Sequence, residues 1–497
     1  MSLKKNLGRS TIWMSISASG TSIVSFFIFI IISRLLDPEQ IGLVAFALIF
    51  IEFGKLVAHA GMSRAIVQYP VWDDAFAATA FYLNIGVGLA LCLLFVLVGG
   101  PLTSTYYDPL AADVLQVLTA IFLMEAIKTV SEGKLQREFS FKAIAIRTVV
   151  GSLVSGVVGV WLAYNDFGVW ALVWQQLINQ FLQMIITVHY AHWLPKLTFS
   201  REYSRHLIRF SAPILGAQCL GNLSSKIYEF FVGVFLGPAA LGFMKVAGRA
   251  VYILQDIVLQ PFDKTLLSAL SRLESPAAQA SATLRVIRIS AFLTFPAFFG
   301  LAAVAPDFIL LAFGEKWETA GILMTAISLG IPPMVVNTQL RSIMLAGSYV
   351  TTLLRIVMVM VVVNAALGYI TVSFGLLMAA IGFSLRNYVA LALYLVKLRK
   401  RYGVSPTTVL KSLIPTTIAC TAMTLAAAGA GYLLPESTVL LVKILVMVSV
   451  GVMTYLAIML TVFRRESLNA IEEMRDILPK KLAPVLAVLE RLSGQRH

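Results

Sequence analysis

The chain has 497 residues, of which 59% are hydrophobic and 13% charged, with a formal net charge of +14. About a quarter of the residues in soluble domains are charged, so this composition, with a mean hydropathy of +0.85, excludes a soluble globular protein and leaves an integral membrane protein. A positive balance would suggest nucleic acid as a partner in a soluble chain, but here loop bases facing anionic lipid headgroups account for it, and no nucleic acid is expected.

Apolar runs recur along nearly the whole chain, each long enough to cross a hydrocarbon core of about 30 Å as a helix. Punctuation by Pro, Gly, Asp and charge clusters predicts spans at 10–34, 40–62, 76–98, 112–131, 143–164, 168–190, 207–236, 240–262, 284–305, 320–345, 350–373, 375–396, 411–433 and 438–462. The expected fold is all-α with about fourteen transmembrane helices. The first span, "SISASGTSIVSFFIFIIIS", is too long for the apolar core of a cleaved signal, and no small-residue cleavage site follows it.

Basic loops are retained in the cytoplasm. With Lys4, Lys5 and Arg9 inside, the even-numbered loops hold Arg64, Lys134, Arg137, Lys142, Lys196, Arg201, Arg205, Lys264, Arg272 and the run from Lys397 to Arg401. The odd-numbered loops hold Asp37, Glu39, Asp108, Asp166, Asp307, Glu315, Glu318 and Glu436, with Lys316 the one clear base. This asymmetry predicts an N-in, C-in topology. Cys92, Cys219 and Cys420 fall in separate apolar spans with no disulfide or metal spacing, and no cofactor is expected. The tail 464–497 carries Leu468, Ile471, Met474, Ile477 and Leu478 at helical spacing and reads as an amphipathic helix on the inner surface.

A turn is written twice. "RLLDPEQIG" at 34–42 and "VFLGPAALG" at 234–242 share Leu, Pro and Gly at an offset of 200 positions, and Arg9 falls on Arg209. "FGVWALVW" from Phe167 and "FGLLMAAI" from Phe374 echo each other at an offset of 207. The expected organisation is a six-helix bundle over 1–200, a second over 201–400, two further helices over 401–463 and the tail. Internal duplication of this kind is typical of secondary transporters.

"GMSRAIVQ" at Gly61–Gln68, "LQREFSFKAI" at Leu135–Ile144, "FLGPAALGFMKVAGRA" at Phe235–Ala250 and "FGEKW" at Phe313–Trp317 resemble the polysaccharide-transporter family of the MOP exporter superfamily, within it the colanic-acid and succinoglycan type. The resemblance implies a flippase that moves undecaprenyl-diphosphate-linked oligosaccharide repeat units across the bacterial inner membrane by alternating access. It also implies the polymerase and chain-length machinery of the same pathway as partners, beside the membrane lipids.

A charge at the bilayer centre costs several kcal/mol, so ionisable residues in spans mark cavities or pairs. Counted from Gly237-Pro238, Lys226 and Arg249 each lie about 17 Å below the outer end, near the midplane. Glu229 is one turn from Lys226, and Lys245 lies nearer the outer end, so three bases face one acid, a surplus suited to a diphosphate or an acidic sugar. Arg386 near mid-span, Lys55 and Arg341 are further candidates for the substrate path. Glu52 with Lys55 and Glu125 with Lys128 have the spacing of helical ion pairs. Arg147, Arg341, Arg355 and Lys443 sit where their stems could snorkel to headgroups. Glu229, Asp256, Glu52 and Glu125 are the carboxylates available for ion coupling or for salt bridges. Trp170 and Trp174 read as interfacial anchors before sugar platforms.

Two other classes share this composition. A membrane enzyme acting on lipid-linked sugars should show a sizeable external loop or an intramembrane His or carboxylate constellation, whereas His59, His189, His192, His206 and His497 lack ligand spacing and no GxSxG, HExxH or P-loop occurs. A multidrug exporter for organic cations would favour surplus carboxylates in its cavity.

Overall fold

The structure is a computed structural model describing residues 20–59, 61–270, 275–435 and 437–469. The bases Lys4, Lys5 and Arg9, the start of the first span, Arg272, Glu436, and the tail residues Ile471, Met474, Ile477, Leu478 and His497 lie outside the described residues. No strand occurs among the described residues, as the all-α reading requires. They divide into two compact units, Met1–Val246 and Ala247–His497.

The first unit contains α1 (Gly20–Leu35), α2 (Pro38–His59), α3 (Met62–Gln68), α4 (Asp74–Leu94), α5 (Gly100–Tyr106), α6 (Pro109–Leu118), α7 (Ala120–Arg137), α8 (Phe141–Tyr164), α9 (Val169–Ala191) and the first part of α10 (Arg201–Leu270). Helix starts follow local chemistry. Asp73 accepts the Ala75 N–H at 2.8 Å, and Asp108 accepts the Ala111 N–H at 2.9 Å ahead of Pro109. Each satisfies a first-turn donor, and proline fits the first helical position because its missing N–H would be unbonded there.

The expected spans 76–98 and 112–131 lengthen to Asp74–Tyr106 and Pro109–Arg137. The first continues because Pro101 does not stop the helix: a π-turn at Phe95–Gly99 absorbs it, with the Gly100 N–H reaching back five residues to the Phe95 carbonyl. The second continues through Glu125, Lys128 and Glu132 because those charges are paired. α10 bends at Gly237, whose φ of 84° and ψ of 176° lie in a region open essentially to glycine alone. Here α2 and α10 touch backbone to backbone. A Cβ on Gly42 would collide with the Pro238 carbonyl, and one on Gly242 with the Pro38 carbonyl.

The connection from α3 to α4 is tied down by side chains from later in the chain. Arg137 donates to the carbonyls of Ile66 at 3.1 Å, Pro70 at 2.9 Å and Tyr69. The Tyr203 hydroxyl donates to Asp73 at 2.6 Å, holding that carboxyl below its ordinary range. Asp74 receives the indole N–H of Trp72 and pairs with Lys196 at 2.7 Å, and that hydrogen bond raises the Lys196 ammonium above its ordinary value.

The second unit contains the rest of α10, α11 (Pro276–Phe313), α12 (Glu318–Leu329), α13 (Ile331–Ala346), α14 (Val350–Val372), α15 (Leu376–Tyr402), α16 (Pro406–Leu433) and α17 (Leu440–Thr461). Ser275 and Ser405 cap α11 and α16 ahead of a proline. Prolines inside α11 free carbonyls that hydrocarbon cannot satisfy. Hydroxyls from other helices take them. Pro296 frees the Phe292 carbonyl, which accepts from Tyr455 at 2.9 Å. Pro306 frees that of Ala302, which accepts from Thr325 at 3.0 Å. At the junction of α12 and α13, which opens on Pro332 and Pro333, the Leu329 carbonyl accepts from Tyr388 at 2.9 Å. Asp307 consequently lies inside α11, not in an outer loop.

Candidate functional site: a charge relay beside an apolar cavity

The bend at Gly237 folds α10 back on itself, so residues equidistant from it face each other. Glu229 and Lys245, each eight positions from Gly237, meet at 2.6 Å. Lys226, one turn before Glu229, lies 3.3 Å from the same carboxylate and 2.7 Å from Glu52 of α2. The result is an alternating relay, Glu52, Lys226, Glu229, Lys245, running through the first unit. The sequence-based pairing of Glu52 with Lys55 is modified: Glu52 forms its ion pair with Lys226 on the neighbouring helix, and Lys55 sits in the field of Glu125, Lys128 and, more weakly, Glu52. The three-to-one surplus of bases read from the hairpin is also reduced, because Glu52 adds an acid from an element 174 residues away in sequence. The most displaceable member is Glu52, whose side chain is 46% exposed against 15% for Glu229.

Beside the relay lies a cavity of about 830 Å³. Phe46, Phe50 and Phe53 of α2, Phe95 of the π-turn, and Phe230 and Phe231 of α10 supply its aromatic walls. Lys226 is the one charged side chain among its lining residues. The Phe46 ring stacks on Tyr107 at 3.7 Å and lies 6.0 Å from Phe230. Sequence reasoning missed this cavity. The signal available was Gly99-Gly100-Pro101, a breaker cluster inside an apolar run that reshapes one wall without ending the helix.

A second charged network is buried. Glu125 of α7 takes a hydrogen bond from Gln180 of α9, pairs with Lys128 at 2.9 Å and meets the His59 ring at 3.4 Å. Arg147 of α8 grips both oxygens of Glu132 at 2.9 Å and donates to Thr187. The Glu125–Lys128 pair is as read from the sequence. The snorkelling assigned to Arg147 is corrected: at 6% exposure its guanidinium is buried and bidentate, the geometry an Arg–carboxylate pair favours.

In the second unit, Arg249 lies in the field of Asp256, two turns along α10. Arg386 stacks on Phe383 with its guanidinium carbon 3.7 Å from the ring centre. Arg341 is exposed on α13. Lys443, read as snorkelling, instead binds Asp307 at 2.8 Å, which explains how α11 carries an acid within its helical run.

Eleven helices among the described residues are long and apolar enough to span a bilayer, and with these in-span charges they define an all-helical, multi-pass membrane protein. A family model described as polysaccharide biosynthesis protein matches residues 31–322, more than half of the chain, and the chain belongs to that family. It is similar to the succinoglycan biosynthesis transport protein ExoT of Rhizobium meliloti, 24% identical over 317 residues, a match spanning 64% of this chain and 64% of that protein's length. It is also similar to the teichuronic acid biosynthesis protein TuaB of Bacillus subtilis, 22% identical across 69% of this chain and 72% of that one. Among solved structures, the lipid II flippase MurJ in an inward closed conformation superposes with a TM-score of 0.76 at 14% identity, covering 92% of this chain and all of that one. An inward-facing multidrug transporter of the MOP superfamily superposes with a TM-score of 0.62 at 15% identity, covering 81% and 99%. The fold is that of MOP-type transporters.

Proposed function

We propose that the chain is a flippase that carries undecaprenyl-diphosphate-linked oligosaccharide repeat units across a bacterial inner membrane by alternating access. The single observation that carries this reading is a cationic side chain, Lys226, at the wall of a cavity lined mostly by apolar and aromatic groups, in a chain of the polysaccharide biosynthesis protein family. A lipid-linked sugar has the same division, a diphosphate joined to hydrocarbon. Relatives named for succinoglycan and teichuronic acid biosynthesis, and a lipid II flippase of the same fold, support the substrate class.

Fourteen transmembrane helices fit this reading. To the eleven apolar spans, the bend at Gly237 adds one by dividing α10, and Gly20–Leu35 and Val169–Ala191 complete the count. The reciprocal contact of Gly42 with Pro238 and Gly242 with Pro38 supports the duplication of 1–200 in 201–400, since two copies of one turn around a two-fold axis meet in this way. The loop charges support N-in, C-in.

In this proposal Lys226, Lys245, Arg249, Arg386, Lys55 and Arg341 serve the translocation path. Glu229, Asp256, Glu52 and Glu125 serve coupling or hold those bases in place. Deleting the gene should accumulate lipid-linked repeat units on the inner leaflet, and Lys226→Ala with Arg249→Ala should reproduce that loss in a chain still inserted in the membrane. Normal glycan export in the deletion strain would overturn the reading.

A further inference from the structure

We propose that the aromatic cavity of the first unit binds the polyisoprenyl chain of the lipid carrier, with the carrier's phosphate at Lys226. The inference rests on the flippase reading and adds where the hydrocarbon part of the substrate is held.

Three observations converge. The first is wall chemistry: rings from α2, the π-turn and α10 enclose about 830 Å³, within the range of ligand pockets that bury a small molecule, about 300–1,000 Å³. Sugars need donors and acceptors at close spacing, and only Thr103, Asn222, Lys226 and the tyrosines Tyr106 and Tyr107 interrupt walls that are otherwise hydrocarbon, so the head group is the poorer occupant for this space. Hydrocarbon has the right chemistry for it.

The second is the direction in which the cavity opens. Leu94 is 52% exposed, Val98 47% and Leu102 52%, and all three line the cavity along one stripe of the span Asp74–Tyr106. A rim of exposed apolar side chains on a membrane helix meets lipid, not water. In this proposal the cavity opens along that stripe to the hydrocarbon layer in which a polyisoprenyl chain already resides. The π-turn at Phe95–Gly99 places Phe95 and Val98 on this rim, and such widened turns often occur at functional sites.

The third is charge. Lys226 touches the cavity and is held by Glu52 at 2.7 Å and Glu229 at 3.3 Å. A phosphate arriving at the end of the cavity can replace the half-exposed Glu52 on the ammonium while Glu229 keeps its bond to Lys245. The relay thus offers one exchangeable place for an anion at the boundary of an apolar space. An ordinary phospholipid would meet the same two chemistries, so the length and branching of the chain must discriminate between the two sources.

The test uses the purified full chain in nanodiscs and two photoreactive probes: undecaprenyl phosphate with a diazirine in an isoprene unit close to its phosphate, and phosphatidylethanolamine with a diazirine at a matching distance from its phosphate in an acyl chain. The polyprenyl probe should label peptides containing Phe50, Phe95 or Phe230, and unlabelled undecaprenyl phosphate should compete. Val98→Trp and Leu223→Trp, at exposed rim positions, should each lower this labelling about tenfold by filling the space. Equal labelling of the cavity by the acyl probe, labelling confined to other helices, or undiminished labelling in folded filled variants would overturn the inference. Labelling of the unsubstituted chain decides the matter even where a tryptophan variant does not fold. Accumulation of lipid-linked units in the deletion strain is scored separately, so the flippase reading can fail while cavity labelling stands, and the reverse.

Discussion

Replacing Gly42 by alanine probes the tightest backbone contact described in the first unit. The added Cβ would overlap the carbonyl carbon and oxygen of Pro238, and a backbone carbonyl fixed by a proline ring and a helix start cannot rotate away as a side chain can. Overpacking of a well-packed contact costs about 1–3 kcal/mol, and a collision with backbone belongs at the upper end. Against this stands a helix-propensity gain of about 0.5–1 kcal/mol for alanine over glycine. Net destabilisation of about 1–2 kcal/mol is expected. Gly86→Ala in α4 is the control, because nothing lies within 4 Å of its added Cβ, and it should be neutral or stabilising. Gly242→Ala strikes the Pro38 carbonyl across the same contact, so the double variant should cost less than the sum, a single separation of the helices relieving both collisions. SDS-induced unfolding of purified chain in mixed micelles reads all four. If Gly42→Ala unfolds together with Gly86→Ala, the close approach is not present in the folded protein and the reasoning fails.

Arg147→Ala leaves the buried Glu132 without its bidentate partner and should cost about 3–5 kcal/mol, while adding Glu132→Ala should recover part of the loss in a double-mutant cycle. Tyr455→Phe strands the Phe292 carbonyl freed by Pro296 and should lower stability by about 1–3 kcal/mol, with Thr325→Val doing the same through Ala302; unchanged unfolding midpoints would show that the freed carbonyls are otherwise satisfied. Tyr203→Phe removes the bond that depresses Asp73. A depressed carboxyl stabilises the fold above its ordinary value of about 3.9 and loses that contribution as pH falls through the folded value. The stability gap between wild type and Tyr203→Phe should therefore be open at neutral pH and close in acid, as followed by thermal unfolding across a pH series.

Periodicity and punctuation made the helices legible, because a bilayer leaves few alternatives to long apolar helices. They also located the Gly237 hairpin, since a Gly-Pro pair is a local signal, and the i,i+3 spacing of Lys226 and Glu229; the contact of Glu229 with Lys245 across the bend emerged only in the structure. What they could not supply was the identity of partners on other elements. Glu52 has Lys55 one turn away and Lys226 far along the chain, and only packing decides between them. Arg147 near a helix end looks like a snorkelling base until Glu132 and Thr187 are found around it. The cavity escaped notice because its phenylalanines, taken singly, look like ordinary span residues. Pro306 marks a span end when read from punctuation, yet it lies within α11, where the carbonyls spared by Pro296 and Pro306 are met by hydroxyls from other helices.

The Arg137 clamp bears on the order in which the protein assembles. Its three acceptors lie at Ile66, Tyr69 and Pro70, and the donor follows the first of them by 71 residues. At about 5–20 residues per second of synthesis, those carbonyls wait on the order of 4–14 s for their donor. The neighbouring Asp73 waits longer, because Tyr203 lies 130 residues downstream. During synthesis the turn after α3 is thus held open twice, first until α7 emerges and then until α10 begins. A lysine at position 137 would deliver the same charge on time but could not span three carbonyls with a planar fork, so the early helices would insert on schedule and the connection between them would remain unlocked.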